Sequence, residues 1–171
     1  RGVVVAHDTD EAVAGLTRLA EGRKGAGICV ADSPEREGAV WVFSGFGSQH
    51  RKMGKELYSL SPLFAARLDE IDVVVQREAG YSVVGMILDD AQNFGTETAQ
   101  VGITAIQIAL ADLMTGLGLR PAAVVGQSMG EIAGAYAAGG LSMEDAMTVA
   151  CHRARLMGEG ETLLSEDKQG A

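Results

Sequence analysis

The chain has 171 residues, with 14 lysines and arginines against 23 aspartates and glutamates, and is 47% hydrophobic but only 5% aromatic. That length fits one domain or part of a larger one, and the apolar share is enough for a core. The net charge of −9 argues against nucleic acid and anionic membranes as partners. An anionic substrate stays open, because one local arginine can override a diffuse field.

The opening, RGVVVAHDTDEA, has neither the basic start nor the apolar run of a secretory signal. No apolar run approaches the ~20 residues that span a bilayer. The expectation is a cytoplasmic protein with no membrane span, and the absence of an initiating methionine predicts a piece of a longer polypeptide. Residues 3–6 (VVVA) form a β-branched run, and 10–21 place Val13, Leu16 and Leu19 on one helical face. With a second strand at 27–31 they predict a small βαβ-like piece. A polar connector at 32–38, DSPEREG, marks a boundary.

A strand at 39–43 (AVWVF) runs into a glycine-rich loop, Ser44-Gly45-Phe46-Gly47-Ser48-Gln49. Helical periodicity spans 53–78, interrupted near Ser61-Pro62, and 82–90 read as a short helix or turn. A long apolar helix runs over 98–117 and is stopped by Gly118. Residues 121–125 (PAAVV) lack polar alternation, which predicts a strand buried on both faces of a parallel sheet. Gly126-Gln127-Ser128-Met129-Gly130 leads into a small-residue helix. A further helix covers 143–157, opened by Ser142 with Asp145 at capping-box spacing, and the polar tail after Gly158 has no evident partner. The fold class is therefore α/β with a parallel sheet.

The chemistry concentrates at Ser128. Strand, G-x-S-x-G and helix in succession make a nucleophile elbow: the turn is too tight for flanking side chains, and the serine projects from the sheet's carboxyl edge. The following helix aims free N–H groups at the same place, where they can hold an oxyanion. The bare pattern arises by chance on the order of 0.15 times in a chain of this composition. Ser128 with Glu131 also fits a capping box, so nucleophile and helix cap both remain open on spacing alone. Cys29 and Cys151 are far apart and make no framework. Cys151-His152 has no partner cluster, so no metal is expected.

Val42-Phe43-Ser44-Gly45-Phe46-Gly47-Ser48-Gln49 is similar to the opening VFPGQGSQ of malonyl-CoA:acyl-carrier-protein transacylases and polyketide-synthase acyltransferase domains. Thr98-Ala99-Gln100 looks like that family's T-x-x-x-Q-P region. Gly126-Gln127-Ser128-Met129-Gly130-Glu131 resembles its GHSxGE elbow. AAGGLSMEDA at 137–146 and Arg153-Ala154-Arg155-Leu156-Met157 resemble two further blocks in the same order. The GFGSQH and GQSMGE variants look most like the mycobacterial synthases that condense mycolic acids.

The resemblance implies an acyltransferase (α/β-hydrolase-like) fold, incomplete here, over 39–171 as the domain's N-terminal portion. Residues 1–38 would end the linker from a ketosynthase. Ser128 would accept the acyl group, and the backbone N–H groups of Met129 and Phe46 would form the oxyanion hole. Gln100 would line the pocket, and Arg153 would pair with the free carboxylate of a carboxyacyl-CoA. The donor would be acyl-CoA and the acceptor the phosphopantetheine of an acyl carrier protein, with no bound cofactor and no metal. Phe46 stands where the family has Gln, Val101 where it has Pro, and Gln127 where it has His. The family's histidine base lies downstream of this sequence, and none of His7, His50 or His152 matches it. His152 is turned about 100° from Arg153 on its helix. An α/β-hydrolase-type esterase or thioesterase, and a non-catalytic fragment, are the alternatives, with the fragment expected to be inactive alone.

Overall fold

Short β-branched runs and glycine turns build the first of two compact units, Arg1–Gly38 and Ala39–Ala171. A computed structural model of the chain describes residues 2–30, 38–91 and 94–169, with side chains as far as residue 163. The connector expected at 32–38 lies, but for Gly38, outside the described residues.

In the first unit β1 (Gly2–Val4) and β2 (Ile28–Val30) flank α1 (Thr9–Ala20). Asp8 caps α1 by accepting from the Glu11 N–H at 2.8 Å. The strands pair antiparallel, Gly2 opposite Val30 and Val4 opposite Ile28, so the βαβ-like expectation is corrected. Gly22 and Gly27, at φ of 69° and 73°, reverse the chain before β2. A Cβ on Gly2 would lie 2.5 Å from a Leu19 methyl, so Leu19 of α1 packs directly over the strand at that glycine. Val13 and Leu16 of the expected apolar face stay exposed.

The second unit begins with β3 (Ala39–Phe43), followed by α2 (Lys55–Leu60), α3 (Pro62–Ala79), α4 (Val83–Leu88), α5 (Thr96–Gly116), β4 (Pro121–Gly126), α6 (Gly130–Ala137) and α7 (Met143–Gln169). The interruption expected near Ser61-Pro62 separates α2 from α3. Ser61 caps α3, and Pro62 occupies its first turn, where a missing N–H costs nothing. The core lies between α3, α5 and α7, and is centred on fully buried Phe64, Leu68, Ile71, Ile108 and Met147.

By length and composition alone α5 could cross a membrane: it has 21 residues and a mean hydropathy of 1.2. This corrects the reading that no run approaches such a span. With 61% of that window buried, α5 is the central helix of the unit. The helix expected at 143–157 continues to Gln169, because the tail carries three glutamates and two leucines, all good helix formers. The tail has a partner as well, since Thr96 Oγ1 donates to Glu161 Oε2 at 2.7 Å.

β3 and β4 pair in parallel, with Val40 opposite Ala123 and Val42 opposite Val125. β4 is not buried on both faces. Phe43, Trp41 and Val124 turn toward the core, while Val40, Val42 and Val125 on the other face are 55%, 74% and 54% exposed. Hydropathy reports how apolar a strand is, and among the described residues a two-stranded sheet with α6 packed on it has no second layer to cover those valines. Phe64→Ala should cost about 3–5 kcal/mol in urea unfolding, whereas Val42→Thr should stay within about 0.5 kcal/mol of the parent.

Candidate active site

The elbow is built by contact between backbones. A Cβ on Gly130 would lie 2.3 Å from the Phe43 carbonyl oxygen and 2.7 Å from that of Ser44. One on Gly126 would lie 2.4 Å from the Glu131 Cα. Only glycine allows the end of β3, the end of β4 and the start of α6 to meet so closely. The parallel ladder runs one step further, the Gln127 N–H donating to the Phe43 carbonyl at 3.0 Å. Tight i to i+3 bonds then close the turn, Gly130 N–H to Gln127 O at 2.9 Å and Glu131 N–H to Ser128 O at 3.1 Å.

This geometry puts Ser128 at φ 54°, a left-handed backbone that serine seldom adopts. Such strain typically costs about 1–3 kcal/mol and persists where surrounding structure enforces it. The helix-cap reading of Ser128 is excluded. The N-cap of α6 is Met129, with no side-chain cap bond, and the Ser128 hydroxyl points elsewhere.

Its partner is Arg153. Nη2 of Arg153 donates to Ser128 Oγ at 3.0 Å, and Nη1 donates to Gln100 Oε1. Gln100 is buried near the start of α5, Arg153 is half-buried on α7, and the packing of α5 on α7 brings them together. Arg153 has no carboxylate within ion-pair distance among the described residues. Arg67 pairs with Glu70 and Asp112, Arg77 with Glu78 and Glu144, and Arg155 with Glu159.

The glycine-rich loop lies against the elbow, since a Cβ on Gly45 would be 3.6 Å from the Ser128 Cβ. Among the described residues the N–H groups of Phe46 and Met129 donate to no protein acceptor. The Phe46 ring is exposed and the Met129 side chain is buried. Gln107 also reaches this loop, its Nε2 donating to the Ser44 carbonyl at 2.9 Å. Sequence reading passed over Gln107. Its signal was its place seven residues after Gln100, two turns along the same helix.

None of the three histidines is bonded to Ser128. His7 meets Glu11 in the first unit, His50 Nδ1 lies 3.4 Å from Ser48 O, and His152 Nε2 lies 3.3 Å from Glu78. The Arg77 guanidinium beside Glu78 holds that carboxyl below the usual range. Burial, aided by Glu78 and Glu97, pushes the Cys151 thiol up to about 11, so it stays protonated at neutral pH and is no rival nucleophile. Among the described residues no group of three potential ligands could hold a metal ion.

Residues 40–164 match the profile of the acyl transferase domain. The chain belongs to that family. To a phenolphthiocerol/phthiocerol polyketide synthase of Mycobacterium tuberculosis it is 39% identical over 170 residues, a match covering 96% of the chain and 9% of that protein. To a mycocerosic acid synthase-like polyketide synthase of Mycolicibacterium smegmatis it is 40% identical over 157 residues, 92% of the chain and 7% of the relative. Among solved structures, the acyltransferase domain from the second module of the salinomycin polyketide synthase superposes with TM-score 0.72 at 36% identity. That match covers 92% of this chain and 37% of the solved one. The acyltransferase domain of the polyketide synthase PpsC of Mycobacterium tuberculosis gives 0.68 at 36% identity, covering 85% and 43%. This acyl transferase chain thus spans less than a tenth of the two synthases and less than half of either solved domain. The fold is that of polyketide-synthase acyltransferase domains.

Gly130→Ala should destabilise this elbow by about 2–4 kcal/mol, because the added methyl meets backbone that cannot move aside. Gly160→Ala in α7, with open space around it, should be neutral or stabilising by up to about 1 kcal/mol. Thermal unfolding of the two variants beside the parent chain checks both.

Proposed function

We propose that this chain supplies the nucleophile and the substrate-binding arginine of a polyketide-synthase acyltransferase. The observation that carries the reading is Arg153, a half-buried guanidinium that meets Ser128 and Gln100 and has no carboxylate partner among the described residues of an acidic protein. An unpaired, partly buried cation beside a nucleophile suits a substrate that brings its own carboxylate.

In this reading Ser128 Oγ attacks the thioester carbonyl of a carboxyacyl-CoA. The carbonyl oxygen takes up negative charge, and the Phe46 and Met129 N–H groups stabilise it. The C–S bond breaks, and CoA leaves as its thiol with the proton removed from Ser128. The phosphopantetheine thiol of an acyl carrier protein then attacks the acyl-serine ester, and Ser128 recovers its proton. The base is the histidine that the family resemblance places downstream. Arg153 turns its fork to the substrate carboxylate and frees the Ser128 hydroxyl. Neither the esterase reading nor the inert-fragment reading is favoured, because the relatives and solved structures are acyltransferases of polyketide synthases.

Unit Arg1–Gly38 acts as the end of the linker from a ketosynthase. It stands outside the family match at 40–164, yet the alignment with the mycobacterial synthase covers 96% of the chain. The acyl chain is that of a polyketide-type lipid, with mycolic-acid condensation as the narrower candidate from the GFGSQH and GQSMGE variants. The setting is the cytoplasm.

Arg153→Ala should lower transfer of carboxyacyl groups by about 30- to 100-fold, the equivalent of a charge-assisted pair worth ~2–3 kcal/mol, while sparing or raising transfer of uncharged acyl groups. Steady-state kcat/KM with a carboxylated and an uncarboxylated acyl-CoA reads this. Equal losses for both would make Arg153 structural and overturn the reading.

A further inference from the structure

The loop that carries Phe46 has few means of holding itself in place. Gly45 and Gly47 have no side chains, Gly47 sits at φ 108°, and the Phe46 ring is 54% exposed. Its internal bonds join Gly47 N–H to Gln49 Oε1 at 2.9 Å and the Ser44 hydroxyl to that of Ser48 at 3.2 Å. Such bonds set the shape of a loop but not its location. Among the described residues, the only side chain from another element bonded to the loop is that of Gln107 on α5. Its Nε2 donates to the Ser44 carbonyl at 2.9 Å and lies 3.2 Å from Ser44 Oγ. The same carbonyl is one of the two that crowd Gly130. The start of the loop is therefore caught between α5 and the elbow.

Gln107 does this at a cost to stability. Its Oε1 is buried and meets no donor among the described residues, an arrangement that destabilises a fold. A methionine has nearly the same length and no orphaned oxygen, and Ser44 is exposed, so water can take over its carbonyl. A side chain that costs stability and ties down the loop lying against Ser128 points to a role in the reaction.

We propose that Gln107 is a positioning residue for acyl transfer: by tying Ser44 to α5 it fixes the Phe46 N–H in register with Ser128. The inference rests on the acyltransferase reading given above.

The test uses Gln107→Met and Gln107→Glu in the intact acyltransferase domain, the downstream histidine included. Gln107→Met removes the donor. Gln107→Glu keeps the shape and sets a carboxylate against the Ser44 carbonyl. In both, kcat for acylation should fall on the order of 10- to 100-fold, with KM for the acyl-CoA held within about 2-fold. The melting midpoint of Gln107→Met should equal or exceed that of the parent. A kcat at the parent level in Gln107→Met overturns the proposal. So does a chain that fails to fold or melts early with kcat and KM worsening together, because that describes a purely structural glutamine. Ser128→Ala, assayed alongside by intact mass, separates the two claims. If its acyl adduct persists, the nucleophile reading fails; if the adduct is lost while Gln107→Met remains fully active, only the inference about Gln107 fails.

Discussion

Three backbone segments meet at the elbow with no side chain between them, and the rest of the site follows from that contact. The carbonyls of Phe43 and Ser44 press on the Cα of Gly130, and Glu131 presses on Gly126. The chain can pass from β4 into α6 there only by a turn of i to i+3 bonds, with Ser128 at φ 54°. The strain is enforced by two parallel strands and a helix packed on them, so the serine hydroxyl is aimed before any substrate arrives. The same contact brings the glycine-rich loop beside Ser128, and in the proposed function the Phe46 and Met129 N–H groups, which meet no protein acceptor among the described residues, would serve as the oxyanion donors. Preorganised donors of this kind do not have to reorient as charge develops, and that is where much of the benefit of an oxyanion hole arises.

Charge is arranged on two scales. The protein as a whole is acidic, and the other arginines named above have carboxylate partners. Arg153 instead spends its donors on a neutral amide and a hydroxyl. Both are weaker partners than a carboxylate, so a carboxylate entering the site can displace the serine at little cost. The buried Gln100 keeps the guanidinium from swinging out to solvent. In the proposed function, selectivity for carboxylated acyl groups would follow from one pair, α5 holding the acceptor and α7 the cation, independent of the diffuse negative field around it.

Much of this was legible in the sequence, for reasons that differ by residue. The elbow is a local object: an apolar strand, two glycines and a small-residue helix lie within a few residues of Ser128, and their sterics can be read in order. Spacing alone left the capping box with Glu131 open, and only the backbone angle and the position of Met129 as N-cap closed it. Gln100 and Arg153 are 53 residues apart, and only family resemblance, not periodicity, linked them to Ser128. Gln107 was missed because its only signal, a place two helical turns after Gln100, gains meaning once Gln100 is known to belong to the site. The burial of β4 was misjudged because hydropathy does not count the strands beside it. The antiparallel pairing in the first unit was missed because two short apolar runs around a helix look alike in either direction. The length of α7 was underestimated because the tail after Gly158 is polar and offers no apolar face to read, while its glutamates and leucines sustain the helix.

The central claim is that Ser128 itself carries the acyl group. Incubating the intact acyltransferase domain, the downstream histidine included, with a carboxyacyl-CoA, digesting it and mapping the ester by tandem mass spectrometry tests that most directly. The account predicts a single acyl ester on the Ser128 peptide, discharged when a pantetheine thiol is added. An ester on another residue, or transfer to the thiol with Ser128 never modified, would contradict it.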